Sequence, residues 1–208
     1  MIKIYGRANS INVRKVLWMC DEVGEPFTRE DWGRGFKPTS DQAFQKVSAF
    51  GVVPVIDDDG FILRESNTIV RYLAEKHGRS DIYPKDLRQR ALTEQWMDWA
   101  ATDIYSAIRP VFLGLQVKMA PFKDDAVGIE AGIKDWGRQI GLLDAHLAQN
   151  GPYVTGKTFS IADICVGLIV NRWYGITFEK PQFKAIAAYY DRLADRPAYR
   201  AHGRNGTP

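Results

Sequence analysis

The stretch Gly51–Tyr72, GVVPVIDDDGFILRESNTIVRY, predicts how the first part of the chain folds. Its order is a β-branched strand, an Asp-Asp-Gly turn, a return strand and then helical spacing. Pro54 would cost a ladder hydrogen bond inside a strand, so we expect a strand start and a cis Val53–Pro54 bond that turns the Val53 backbone outward. Glu65-Ser66 lies at the strand-to-helix junction, where free N–H groups attract a carboxylate. One hairpin could therefore hold an amide and an acid group of a small peptide.

Composition sets broad limits on the class of protein. The 208 residues suffice for one or two domains, and the net charge of +3 is dispersed along the chain, so we expect no nucleic acid and no membrane as partners. The first residues, MIKIYG, read directly as a strand and leave no room for a signal peptide. Two cysteines far apart fit a reducing compartment. We therefore expect a cytoplasmic globular protein.

The Gly51–Tyr72 stretch resembles a signature segment of the glutathione transferase family. VVPVIDDDGFILRESNTIVRYL is similar to the family pattern V-P-x-L-x-D-x-G-x-x-L-x-E-S-x-A-I-x-x-Y-L, with Ile56 and Asn67-Thr68 as variants. The chain looks like a bacterial, serine-type member of theta-like or beta-like character. The resemblance implies glutathione as co-substrate and no metal.

The pattern of elements agrees with a two-part organisation. We predict an α/β thioredoxin-like N-terminal domain of order βαβαββα at 1–78, a linker at 79–87 and an all-α helical domain at 88–208 that lines the electrophile site. The predicted strands lie at 2–5 and 27–32 and in the hairpin, and the predicted helices of the second domain lie at 87–119, 123–149, 160–175 and 182–194. The last residues, HGRNGTP, are predicted to be a frayed tail.

Ser10 stands in the loop before the first predicted helix, in the run YGRANSINVRKV. It could be only a helix cap. Its hydroxyl and the free N–H groups could equally stabilise a bound thiolate and lower the thiol pKa. The resemblance implies that Ser10 is the thiolate donor, with Asn12 as a second donor or the principal one. Tyr5 is the runner-up, but it lies inside a strand, where an aromatic side chain usually packs.

Further site residues follow from the resemblance. It implies that the glutathione peptide pairs with the backbone at Val53-Pro54, that the γ-glutamyl group binds Glu65 and Ser66, and that Lys37 binds the glycine carboxylate. An acidic residue could reach glutathione across a dimer. Asp103 is the candidate, and Asp98 is as plausible.

The helix predicted after the linker carries the expected electrophile-binding residues. Tyr105, Arg109 and Phe112 share one face at spacing i, i+4, i+7. In the family this helix lines the electrophile pocket. Arg109 could favour an anionic co-substrate, and Pro110 after it would kink the helix.

Some motifs are set aside. GPYVTGKT, Gly151–Thr158, fits the phosphate-loop pattern, but a helix precedes it instead of a strand. Ser160 to Asp163 is similar to a capping box in the second domain of the family. Cys20 and Cys165 fall on apolar faces, which indicates inert core thiols. The three histidines have no metal-ligand spacing.

We therefore expect a homodimeric glutathione transferase that activates the glutathione thiol for attack on small hydrophobic electrophiles, with a role in detoxification. The alternative is a glutathione-binding or interaction protein on the same scaffold, with little transferase activity.

Overall fold

The computed structural model describes residues 1–208, and the first part has the predicted order of elements. It contains the strands β1 (Ile2–Tyr5), β2 (Phe27–Glu30), β3 (Val55–Asp58) and β4 (Phe61–Arg64) and the helices α1 (Ile11–Val23), α2 (Gln42–Val47) and α3 (Ser66–Lys76). Their order along the chain is β1-α1-β2-α2-β3-β4-α3. The sheet has the order β2-β1-β3-β4, with β1 and β2 parallel and the other two pairs antiparallel. The α/β thioredoxin-like fold class is confirmed.

The two faces of the sheet bury different side chains because alternate residues of a strand point to opposite faces. Ile4 pairs with Ile56, and both belong to the large core that also contains the buried side chains of α1 and α3. Their neighbours Tyr5 and Val55 also pair, and they pack with Phe44 of α2 in a smaller cluster. The helices thus cover both faces of the sheet.

The second part is helical, as predicted. It contains the helices α4 (Leu87–Ala101), α5 (Asp103–Val111), α6 (Ala126–Asn150), α7 (Ile161–Gly175), α8 (Lys184–Leu193) and α9 (Pro197–His202). Helix α7 is buried along almost its whole length, as expected for a helix that is apolar on all sides. Helices α1 and α7 pack against each other, and their buried side chains belong to one core. Trp18 of α1 also packs against Phe159 and Tyr199 of the second part. The division at 79–87 stays a prediction.

The predicted helix at 87–119 is wrong in its continuity. It ends at Thr102, whose φ of −116° and ψ of −80° are not helical. The chain then continues through Pro110 to Val111 and widens into a π-helical turn at Phe112–Gln116. A break at Thr102 was not visible in the helical spacing, because the apolar pattern continues across it.

The predicted frayed tail is also wrong. The buried Arg14 guanidinium donates hydrogen bonds to the carbonyls of His202 and Gly203 at 2.5 Å each and to that of Thr207 at 3.0 Å. The Asn171 amide donates to the same Thr207 carbonyl at 2.8 Å. A buried guanidinium needs several acceptors, and the tail supplies them.

None of the helices combines the length and apolar character that a membrane crossing requires.

Candidate active site

The loop between β1 and α1 is held close to the hairpin segment that contains Val53. Gly6 makes this approach possible, because a Cβ there would lie 2.6 Å from the Val13 side chain and 3.2 Å from the Val53 Cβ. The Val53–Pro54 peptide bond is cis, as predicted. The N–H and C=O of Val53 make no hydrogen bond within the chain. The loop and the hairpin therefore meet with free backbone groups between them.

Ser10 occupies the N-cap position of α1, but its side chain does not cap the helix. Its hydroxyl has no hydrogen-bond partner in the chain, and the residue is only 9% exposed. It lines a cavity of about 210 Å³. Of the two interpretations left open by the sequence, a cap alone does not account for this geometry. The hydroxyl is free to donate to a group in the cavity.

Asn12, in the first turn of α1, lies between two cavities. It lines the cavity at Ser10 and also a neighbouring one of about 370 Å³. Tyr5 lines neither, since it is buried with Trp32 on the opposite face of the sheet. The structure therefore places Asn12 beside Ser10 and keeps Tyr5 away.

Glu65 and Ser66 line the neighbouring cavity, at the N-terminus of α3. Glu65 has a φ of 70°, a conformation that costs a non-glycine residue of order 1–3 kcal/mol and is often found at functional sites. Its carboxylate is 2.7 Å from the Arg64 guanidinium and is largely exposed. Ser66 is buried. This helix N-terminus offers free N–H groups to an acid.

Lys15 is a residue of the same cavity that the sequence did not indicate. It is buried, and its only hydrogen bond goes from Nζ to Asn67 Oδ1 at 3.0 Å. Burial lowers the pKa of this lysine. The available signal was its spacing, one turn after Asn12 on α1. A buried ammonium without a carboxylate partner makes this cavity attractive to an anion.

The cavity at Ser10 is closed on its other side by α5 and α7. Tyr105, Arg109 and Phe112 all line it, so the structure brings the three predicted electrophile-binding residues together. Their apolar neighbours in the wall are Ile108, Leu113 and Met119. The side chains of Arg7, Arg34 and Arg172 complete it, and the sequence did not indicate them. A lone arginine in the apolar run of α7 was the signal for Arg172.

Four predicted site residues line neither cavity: Lys37, Val53, Pro54 and Asp103. Lys37 is exposed in the loop between β2 and α2, with its ammonium 5.2 Å from the Trp32 ring centre. Asp103 is exposed at the start of α5. Asp98, the alternative, lines the cavity of Glu65 and Ser66, and its carboxylate is 3.4 Å from the Arg71 guanidinium.

The cysteines and the phosphate-loop pattern lie elsewhere. Cys20 and Cys165 are buried, and burial raises the pKa of the Cys20 thiol to about 12. The Gly151–Thr158 segment follows α6 and is organised by Asp163, which accepts a hydrogen bond from the Val154 N–H. The structure groups no three His, Cys, Asp or Glu side chains that could hold a metal ion.

Comparisons with known proteins agree with this arrangement. A sequence model of the glutathione S-transferase N-terminal domain matches residues 4–81. The chain is 34% identical over 202 residues to glutathione S-transferase GstB of Escherichia coli K12, with 96% of both chains covered. The chain belongs to the glutathione S-transferase family. This membership confirms the predicted resemblance and the predicted class of enzyme.

A solved structure of this family gives a second measure. The theta class glutathione S-transferase of Xanthomonas axonopodis pv. citri, with glutathione bound, has a TM-score of 0.90 and 36% identity, covering 97% of this chain and 96% of that one. The chain is also similar to part of a longer protein. A probable elongation factor 1-gamma of Arabidopsis thaliana is 28% identical over 160 residues, which is 76% of this chain and 38% of that protein.

Proposed function

We propose that the protein is a glutathione transferase that holds the glutathione thiol as a thiolate beside Ser10 and directs it at a small electrophile with an apolar body. One observation carries the proposal: a buried serine hydroxyl at the N-terminus of α1 has no partner in the chain and faces a cavity. The glutathione-bound Xanthomonas relative supports glutathione as the co-substrate.

The two cavities suit the two ends of this chemistry. The γ-glutamyl end of glutathione would bind Glu65 and Ser66, with Lys15 near its carboxylate. The free backbone of Val53 would pair with the peptide as an added strand. This placement brings the sulfur towards Ser10 and Asn12. The glycine carboxylate would extend towards Lys37.

The activation is electrostatic. A hydroxyl, free N–H groups at a helix N-terminus and nearby guanidinium groups all favour a thiolate over a thiol. Lowering the thiol pKa by about two units requires about 3 kcal/mol of differential stabilisation. The electrophile would bind against the apolar and aromatic side chains of α5, close to the sulfur, so that proximity supplies the remaining acceleration.

Assembly and role belong to the same proposal. Exposed apolar side chains on the hairpin side, among them Phe50 and Phe61, suit a homodimer contact. In such a dimer Asp98 or Asp103 could approach the partner's glutathione. We infer a cytoplasmic enzyme of detoxification.

The similarity to elongation factor 1-gamma supports the second candidate, a glutathione-binding or interaction protein with little turnover. Calorimetric titration with glutathione and conjugation of 1-chloro-2,4-dinitrobenzene separate the two. Binding with turnover that Ser10→Ala reduces supports the enzyme. Binding with conjugation no faster than the uncatalysed reaction supports the binding protein, and absence of glutathione binding contradicts both.

A further inference from the structure

The cavity at Ser10 is strongly positive. Four guanidinium groups line it, and no carboxylate does. None of the four forms an ion pair or a hydrogen bond within the chain. Several surface arginines elsewhere in the molecule do form ion pairs, as Arg79 does with Asp81 at 2.8 Å. The four arginines are Arg7, Arg34, Arg109 and Arg172.

Arg172 is the most informative of these groups. It is 3% exposed, and its Nε is buried without a hydrogen-bond partner. Its guanidinium stacks on the Phe112 ring at 3.8 Å. Burial lowers its pKa to about 9, so the group still carries its charge at neutral pH. A buried charge without a counterion is costly, and an anion in the cavity would remove that cost.

The remaining arginines extend the positive potential around the same space. Arg7 packs against Gly33, where a Cβ would lie 2.9 Å from its Nη1. Burial lowers the pKa of Arg7, and the neighbouring charge of Arg34 lowers it further. An anion bound between these two like charges would offset their repulsion. Arg109 contributes from α5, with its guanidinium 4.7 Å from the Phe122 ring.

Glutathione itself does not account for all of this charge. In the proposed function its γ-glutamyl carboxylate lies in the other cavity, at Ser66 and Lys15. Its thiolate is a single charge, and it would lie at the edge of the cavity at Ser10. The buried Arg172 lies on α7, among the side chains expected to contact the electrophile.

We propose that this cavity binds electrophiles that carry a carboxylate, with Arg172 as the principal ligand of that carboxylate. The inference rests on the proposed function and specifies the class of its second substrate. The sulfur of the thiolate attacks the carbon that bears the leaving group. A carbon–sulfur bond forms, the carbon–halogen bond breaks and the halide leaves with its electron pair. The thiol proton has already passed to solvent, and the carboxylate is unchanged.

The test compares two substrates that differ only in charge, 4-chloro-3-nitrobenzoate and 4-chloro-3-nitrobenzamide. Each kcat/KM is divided by the uncatalysed rate constant with glutathione, which corrects for intrinsic reactivity. We expect the wild type to prefer the carboxylate by at least about tenfold, because charge-assisted hydrogen bonds in a buried site are strong. Arg172→Met should bring the ratio close to one. Arg138→Gln, a change at an exposed arginine on α6, should leave it unchanged.

Two further measurements keep the inference testable if Arg172→Met folds poorly. The exposed Arg109→Gln should lower the carboxylate preference by a smaller factor, and 3-nitrobenzoate should inhibit the wild type more strongly than 3-nitrobenzamide. Equal conjugation of both substrates by the wild type would overturn the inference and leave the proposed function intact. The inference would also be overturned if Arg172→Met raised the KM of glutathione and left the carboxylate preference unchanged, since the arginine would then bind glutathione. Absence of any conjugation would overturn the proposed function itself.

Discussion

Helix α7 has a buried charged side chain near each end, and only the one at the N-terminus has hydrogen-bond partners. At its N-terminus, the Asp163 carboxylate accepts hydrogen bonds from the Val154 N–H at 3.0 Å, the Ser160 N–H at 2.8 Å and the Tyr189 hydroxyl at 3.0 Å. The Ser160 hydroxyl adds a fourth at 3.1 Å. Towards its C-terminus, Arg172 is as deeply buried and has only an aromatic ring and a cavity beside it.

This difference separates a folding element from a binding element. A buried polar group whose hydrogen bonds are all made stabilises one conformation of the chain. A buried polar group without hydrogen-bond partners destabilises the fold, so its presence calls for another explanation, such as the binding of a ligand. On this criterion Asp163 serves the fold, and Arg172 serves a ligand.

The largest expected effect is at Asp163. Asp163→Ala leaves four donors without an acceptor in a buried site, and we expect the free energy of unfolding to fall by about 3–5 kcal/mol. Denaturant unfolding followed by circular dichroism measures this. Asp135→Ala, at a partly exposed ion pair, is the matched control and should change the value by less than about 1 kcal/mol. Equal effects of the two variants would contradict the distinction.

The pH dependence of stability measures what the burial of the Asp163 charge costs. Burial raises the pKa of Asp163 to about 6, whereas the unfolded carboxyl titrates near 3.8. The folded state therefore binds the proton more tightly, and this contribution to stability is present below about pH 4 and is lost as the pH rises to about 6. The loss is of the order of 3 kcal/mol. Unfolding of the wild type against Asp163→Asn across this range should show it, and parallel curves would contradict it.

Arg172→Met should change the free energy of unfolding in the opposite direction from Asp163→Ala. Replacing an unpaired buried charge by an apolar side chain of similar length is expected to raise the free energy of unfolding by about 1–2 kcal/mol in the absence of ligand. Arg138→Met, at an exposed arginine, should change it by less than about 0.5 kcal/mol. A clear loss of stability in Arg172→Met would mean that the guanidinium serves the fold after all.

A smaller effect is expected at Glu65. The positive φ is unfavourable for any residue with a Cβ, so Glu65→Gly should be more stable than Glu65→Ala by about 1 kcal/mol. Both variants remove the carboxylate, and both should bind glutathione more weakly than the wild type in calorimetric titration. Equal stabilities would indicate that this backbone relaxes when the side chain is removed.

The hairpin and the helix caps could be predicted from local sequence because their chemistry is local. The turn at Asp58–Gly60, the junction at Glu65-Ser66 and the Ser160 capping box each lie within a few residues of one another along the chain. The same holds for the face of Tyr105, Arg109 and Phe112. The position of Tyr105, Arg109 and Phe112 at the cavity beside Ser10 was implied by the family resemblance.

The parts that could not be predicted depend on distant partners. Arg14 orders the tail through carbonyls almost the whole length of the chain away. Arg172 reaches the Ser10 loop only because α7 packs against α1. Lone charged residues in apolar helices were visible in the sequence, but their partners, or the lack of them, were not.

The central claim is that Ser10 stabilises the glutathione thiolate, and the most direct measurement is the ultraviolet difference spectrum of bound glutathione against pH. We expect the bound thiol to titrate near 6.5, compared with about 8.5 for an ordinary thiol. In Ser10→Ala the titration should move towards the ordinary value, while Asn12→Ala should move it less. A low thiol pKa that is unchanged in Ser10→Ala would contradict the claim and assign the stabilisation to Asn12 or to the helix N–H groups.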